Sequence, residues 1–376
     1  MQPKPQQPRR NVRRRWVWVV GLLLLLGGAL WFALRGSGWR GVTSIANGGS
    51  AAAVALDPTD AKDAKVPDGP LTIYCGRPEP LMAPLFDRFG AETGVSYIVR
   101  YADSWGLEKE LVAEGTRTPA AVFIAQDAAA LGALSRKGLL RELPMEIVQQ
   151  VDPRFAGTAA KLDWVGLSAR ARAVVYDPKV TPAATLPRTL EAVADEKYRG
   201  RFGIAPTNDS FQAQLALYLV LRGDDALRDL LANVKKNGPH LYVNNAAVVQ
   251  AVARGEIAFG LVNHFSLWRE SGNIPSGRLA ISFMPGEGVA GFVNAAGVGV
   301  LSPDPRALEL VRFLLSKQAQ ERFAKETYEY PLAKGVAAQP GLPPLASLRV
   351  PAFDFADVAA VLEEADRATR RAGLMP

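Results

Sequence analysis

Residues 71–101 read LTIYCGRPEPLMAPLFDRFGAETGVSYIVRY, and the fold class follows from how this stretch is parsed. LTIYC is a short buried-strand pattern, PEPLMAPLFDRFGAETG spaces its apolar residues as an amphipathic helix and stops at Gly94, and VSYIVRYA returns to strand. A strand, a covering helix and another strand form the repeating unit of a parallel sheet flanked by helices, so an α/β fold is expected.

The alternation continues downstream. AAVFIAQD (120–127), RAVVYDP (172–178), GRFGIAP (200–206), HLYVN (240–244), IAFGLVN (257–263) and LAISFMP (279–285) read as strands. AAALGALSRKG (128–138), SFQAQLALYLVLRG (210–223), DALRDLLANVKKNG (225–238), NAAVVQAVARG (245–255) and DPRALELVRFLLSKQAQERFAKE (304–326) read as helices with Gly or Pro stops. Phe353 to Ala372 spaces Phe355, Val358, Val361, Leu362 and Ala365 as one apolar face, which predicts a helix packed on the body. No solenoid-length repeat is present.

Upstream, Trp16–Leu34 is an uncharged run, WVWVVGLLLLLGGALWFAL, directly behind Lys4, Arg9, Arg10, Arg13, Arg14 and Arg15. Its length suits a hydrocarbon core about 30 Å thick, and the basic cluster orients the N-terminus to the cytoplasm. The expectation is a basic cytoplasmic tail over 1–15, a transmembrane anchor over 16–34, with a cleaved signal segment as the alternative, and a flexible linker over 35–69. The body would then lie on the periplasmic or extracytoplasmic side of the membrane.

The formal charge is +7, but without those six N-terminal residues it is about +1, so no nucleic-acid partner is expected. Cys75 is the single cysteine, which excludes an intramolecular disulfide and a thiolate zinc cluster, and His240 and His264 are too few for a histidine-rich metal site. No GxSxG, HExxH or GxxxxGK[ST] pattern occurs, and no enzyme activity is expected.

In such sheets ligands bind beyond the carboxyl ends of strands, where loops meet helix starts. That rule selects the loops Gly76–Glu79, Gln126–Asp127, Thr207–Ser210, Asn244–Asn245 and Asn263–Ser266.

Six ordered segments, IYCGRPEPL, VFIAQDAAALGALSRKGLL, WVGLSARARAVVYDP, YRGRFGIAPTNDSFQA, VNNAAVVQAVARGEIAFGLVNH and ETYEYPL, resemble the ferric-iron-binding periplasmic proteins of ABC importers across nearly all of 71–376. The resemblance implies a type II two-lobed fold with a hinge: lobe one from 71–168 plus 290–376, lobe two from 169–289. It further implies an ABC permease as partner and a small solute held between the lobes, ferric iron with a synergistic anion in the typical case.

Members of that family typically grip iron with two adjacent tyrosine phenolates, often after Asn-His; here Asn263-His264 is followed by Phe265-Ser266. Phenylalanine offers no lone pair, and a serine hydroxyl is a weak ligand for a hard cation. Where some members supply His and Tyr from the first loop, this chain has Pro78 and Glu79, and Gln126 stands where others carry glutamate. Tyr74, Tyr176 and Tyr330 do not replace the missing pair.

The candidate ligand-binding residues are therefore Arg77, Glu79, Gln126, Asp127, Arg170, Asn208, Asp209, Ser210, Asn245, His264, Phe265 and Ser266, with Glu79 and Asp209 the candidate metal ligands. Two readings stand. Carboxylates with a synergistic anion or chelate still hold iron, or Arg77, Arg170 and Arg172 with Phe265 hold another small anionic solute. The non-transport alternative is a membrane-anchored sensor or scaffold that kept the fold and lost iron.

Several of these residues also have plain structural readings. His264 caps a strand end, Phe265 packs in the core, Asn244-Asn245 starts a helix and Cys75 is a small buried apolar group. Arg170 and Arg172 alternate along a strand, so that one faces the cleft and its companion faces solvent or a surface carboxylate.

Overall fold

The computed structural model describes residues 68–375 except 159, 271, 273, 286, 287 and 350. The opening stretch forms β1 (Leu71–Cys75), α1 (Glu79–Thr93) and β2 (Tyr97–Tyr101), with β1 and β2 parallel. Gly94 ends α1 at φ 75°, a left-handed turn that glycine adopts without steric cost. The chain then runs through α2 (Ser104–Glu114), β3 (Val122–Ala125) and α3 (Ala128–Arg136). Asp103 and Asp127 start the two helices by accepting the backbone N–H of Gly106 at 2.8 Å and of Ala129 at 2.9 Å.

The strand expected at 172–178 is the end of a longer one, β4 (Trp164–Tyr176), buried along its whole length. Beyond it come β5 (Phe202–Ile204), α4 (Asp209–Arg222), α5 (Asp224–Lys236), β6 (His240–Leu241), α6 (Asn245–Arg254), β7 (Phe259–Asn263) and β8 (Ala280–Ser282). The return is made by β9 (Val293–Val300), α7 (Pro305–Leu314), α8 (Lys317–Thr327), β10 (Tyr330–Pro331) and α9 (Phe355–Arg371). The single helix expected over 304–326 is thus two. The chain breaks at Leu315-Ser316, where the Ser316 hydroxyl accepts the N–H of Ala319 and starts α8.

Strand order is β2-β1-β3-β9-β4-β7-β5-β6, with β8 and β10 also on β4. β4 belongs to both halves: Trp164–Ala171 pairs antiparallel with β9, and Arg172–Tyr176 pairs with β7. The first half buries Ile73, Phe86, Phe89, Phe123 and Phe323, and the second Phe202, Leu217, Leu227 and Phe259. Two halves, each with its own buried apolar residues and joined by a shared strand, make the two-lobed α/β architecture.

α9 packs on both halves. Phe355 enters the first core and meets Trp164 edge-on at 5.7 Å, while Val358, Ala365 and Ala368 enter the second. Arg136 of α3 pairs with Asp357 at 2.6 Å, and Lys235 Nζ at the end of α5 donates to the Gly373 carbonyl at 2.6 Å. α3 reaches α9 through Gly132, where a Cβ would lie 2.6 Å from the Ala356 nitrogen and 2.9 Å from its Cα. Those atoms are backbone and cannot rotate away, so Gly132→Ala is expected to destabilise the chain by about 1–3 kcal/mol. The better helix propensity of alanine, about 1 kcal/mol, opposes this only in part. Thermal unfolding of the variant checks it, and a midpoint at or above wild type contradicts the tight α3–α9 approach.

The N-terminal expectation is corrected. A membrane span needs about 20 predominantly apolar residues, whereas no helix among the described residues is long and apolar enough to cross a membrane. The longest of them, α9, has 17 residues and carries Asp357, Glu363, Glu364, Asp366, Arg367, Arg370 and Arg371. Residues 1–15, 16–34 and most of 35–69, on which the tail, the transmembrane helix and the linker were expected, lie outside the described residues. Transmembrane attachment and an anchored location thus find no support among the described residues, which form the two-lobed α/β body.

Candidate functional site

The loops after β1, β3, β5 and β7 converge where the two halves meet, and a buried polar cluster lies beneath them. Arg77, 2% exposed, donates from Nε to Gln126 Oε1 at 3.0 Å, from Nη1 to Ser168 Oγ at 2.8 Å and from Nη2 to Glu329 Oε2 at 2.9 Å. The Ser168 hydroxyl donates to the same Glu329 oxygen through a very short hydrogen bond. Phe323 stacks under the Arg77 guanidinium at 4.9 Å. Every nitrogen of this arginine has a partner within the cluster, so Arg77 is framework beneath the site.

Glu329 is placed by its neighbours. Tyr328 ends α8 at φ 58°, a left-handed conformation unusual outside glycine, and the Thr327 hydroxyl accepts the Glu329 N–H at 3.2 Å. Burial works against ionisation of Glu329, but Arg77, Arg170 and the Ser168 hydrogen bond hold its pKa below the ordinary carboxylate range.

Arg170 spans the two halves. Its Nη2 donates to the Gln126 carbonyl at 2.6 Å and its Nε to Ser210 Oγ at 3.1 Å, while Nη1, 4.0 Å from Glu329 Oε1, has no hydrogen-bond partner among the described residues. Arg172 does not face solvent as one of the alternating pair was expected to. Residues two apart on a strand share a face, and both arginines are buried toward α4, Arg170 on Ser210 and Arg172 on Gln214.

His264 is fully buried and both ring nitrogens are used. Nδ1 accepts the Ala171 N–H at 3.1 Å, which leaves the proton on Nε2, 2.9 Å from the Tyr328 carbonyl that receives it. No lone pair points at a solute, so the capping reading of His264 describes it and direct metal ligation does not. Phe265 lies half-buried under Arg269 at 5.5 Å, and Ser266 is buried at the start of a short helix.

Above the cluster is an interlobe pocket of about 390 Å³, lined by Trp105, Asp127, Thr207, Asp209 and Gln212 and closed on one side by Leu362, Glu363, Asp366 and Arg367 of α9. Asp127 comes from the first half and Asp209 from the second. Partial desolvation, followed by the charges of Asp127 and Asp103, holds the Asp209 carboxyl above its ordinary range, against the lowering effect of Arg170. Asp127 also caps α3 and accepts Asn294 Nδ2 at 2.9 Å. The Gln212 Oε1 has no partner among the described residues.

The expected candidates divide accordingly. Asp127 and Asp209 line the pocket; Arg77, Gln126, Arg170, Ser210 and His264 form the cluster below it. Asn208 caps α4 by accepting the Phe211 N–H at 3.3 Å. Asn245 is the buried first residue of α6, its Oδ1 unpartnered among the described residues. Glu79 is exposed at the start of α1 and does not line the pocket. No group of three or more His, Cys, Asp or Glu among the described residues is arranged to hold a metal ion.

Trp105, Gln212, Glu329 and the α9 residues were not among the site candidates read from the sequence. Trp105 follows the end of β2, so the strand-end rule applied to that loop would have found it. Glu329 was signalled only by the need of arginines in apolar segments for a counter-ion.

The family model for bacterial extracellular solute-binding proteins matches residues 84–346. The major ferric iron-binding protein of Neisseria meningitidis serogroup B is 31% identical over 306 residues, covering 80% of this chain and 91% of that one. The Fe(3+)-binding periplasmic protein of Serratia marcescens is 28% identical over 297 residues, 77% and 87% of the two chains. Iron-bound HitA from Pseudomonas aeruginosa superposes with a TM-score of 0.71 at 30% identity, covering 81% of this chain and 99% of that one. With two lobes on a shared strand, a pocket between them and this breadth of similarity, the chain belongs to the bacterial extracellular solute-binding proteins.

Proposed function

We propose that the chain is the solute-capturing component of an ABC importer and that it takes ferric iron into the interlobe pocket, with ligands that travel with the metal filling much of its coordination sphere. As a solute-binding protein it is a non-catalytic transport component. The observation that carries the reading is that Asp127 from one half and Asp209 from the other line the same interlobe pocket, where burial and then the charge of Asp127 raise the pKa of Asp209. A hard cation between them relieves that repulsion and favours anionic oxygen.

The similarity to the ferric iron-binding proteins of Neisseria and Serratia supports iron as the metal. Phe265 and Ser266 supply no phenolate, so an accompanying anion or chelate is needed to complete the shell. A pocket of about 390 Å³ is large enough for more than a bare ion.

The test is the thermal midpoint of the full, ligand-stripped chain with a ferric salt presented in citrate and in bicarbonate. Binding to the folded state raises it, by the equivalent of about 2.7 kcal/mol at a hundredfold excess over Kd. Asp209→Asn is expected to weaken iron binding at least tenfold. No rise with either anion contradicts ferric capture and favours a binding protein that has left iron behind.

A further inference from the structure

Arg172 is 2% exposed and has no carboxylate partner among the described residues. Its Nε donates to Gln214 Oε1 at 3.3 Å and its Nη1 to Asn263 Oδ1 at 3.1 Å; Nη2, also buried, donates to nothing among the described residues. Buried charges are ordinarily paired because desolvation of a lone ion is costly. Arg77 and Arg170 follow that rule through Glu329, and Arg172 does not.

Arg172 also lines a second cavity of about 310 Å³, located where β4 passes from β9 to β8 and bordered by Pro343 and residues 347–349. The exposed Arg188 and Arg349 line it too, with Ser347 and Met284, and no carboxylate is among its described lining residues. None of these residues borders the pocket of Asp127 and Asp209. Three guanidiniums around one cavity, the deepest with an unused N–H group, match an oxyanion able to accept several hydrogen bonds at once.

We propose that this cavity is a second binding site, separate from the interlobe pocket, that takes a small oxyanion of the phosphate or carboxylate class on Arg172, Arg188 and Arg349. The anion supplies the counter-charge that Arg172 lacks. Burial alone pushes this guanidinium down to about 9, and a bound anion reverses that effect. The site stands whatever the interlobe pocket carries.

Isothermal titration of the full, iron-free chain with inorganic phosphate, and separately with succinate, tests it. At least one of the two is expected to bind with one-to-one stoichiometry, the tighter identifying the class. The R188Q/R349Q double variant is expected to lose at least tenfold in affinity with its ligand-free thermal midpoint unchanged, since both side chains are exposed. Arg172→Lys keeps the charge but loses the fork and is expected to weaken binding as well. Absence of binding by both probes, or equal affinity in the double variant, overturns the proposal.

Discussion

Glu329→Ala is expected to lower the unfolding free energy of the chain by about 3–5 kcal/mol, the cost of removing one partner from a buried ion pair. Glu329 is 3% exposed and serves Arg77, Ser168 and, at longer range, Arg170. Its loss leaves two buried guanidiniums without an anion, and neither can reach water without opening the junction of the halves. Urea unfolding of the full chain measures the loss; a variant within 1 kcal/mol of wild type removes Glu329 from this role.

The double variant Arg77→Met with Glu329→Leu separates charge from packing. Removing both members of a buried pair is often far less damaging than removing one. The double variant is therefore expected to be more stable than Glu329→Ala, although Arg170 still lacks its distant partner. If the two losses simply add, the pair contributes through shape and not through charge.

How much of this was legible in the sequence depended on whether the signal was local. The helix ending at Gly94 and the strand after it were readable because glycine and apolar spacing act over a few residues. β9 was not read: VNAAGVGV has small residues and no alternation, since β3 and β4 flank it and both faces are covered. The length of β4 was missed for the same reason, since the polar residues in WVGLSARARAVVY masked a strand buried throughout. In the site, strand-end loops led to Asp127 and Asp209 by rule. Glu329 lies 252 positions from Arg77, and only the folded chain brings them together. The pocket wall made by α9 was likewise hidden, because an amphipathic helix announces that it packs but not on what.

His264 makes the stability of the fold fall with acid at a pH where carboxylates are still ionised. Burial pushes its pKa down to about 4, against the Tyr328 carbonyl and the charge of Glu329, and with Arg170 adding to the lowering. The rings of Tyr330 at 5.0 Å and Phe283 at 6.2 Å close off water. In the unfolded chain the imidazole titrates near 6.5, so between those values the unfolded state binds a proton that the folded state refuses. Stability is then present in full above pH of about 6.5 and is lost as pH falls toward 4, by up to about 3 kcal/mol. Glu329, with its folded pKa held below the ordinary carboxylate range, adds its own loss only at lower pH. Unfolding free energies of wild type and His264→Gln at pH 7, 6 and 5 read this directly. The variant is expected to start lower, having lost the two fitted hydrogen bonds, and to change much less with pH. Parallel pH profiles would mean that another group carries the acid sensitivity and that burial of His264 is not what sets it.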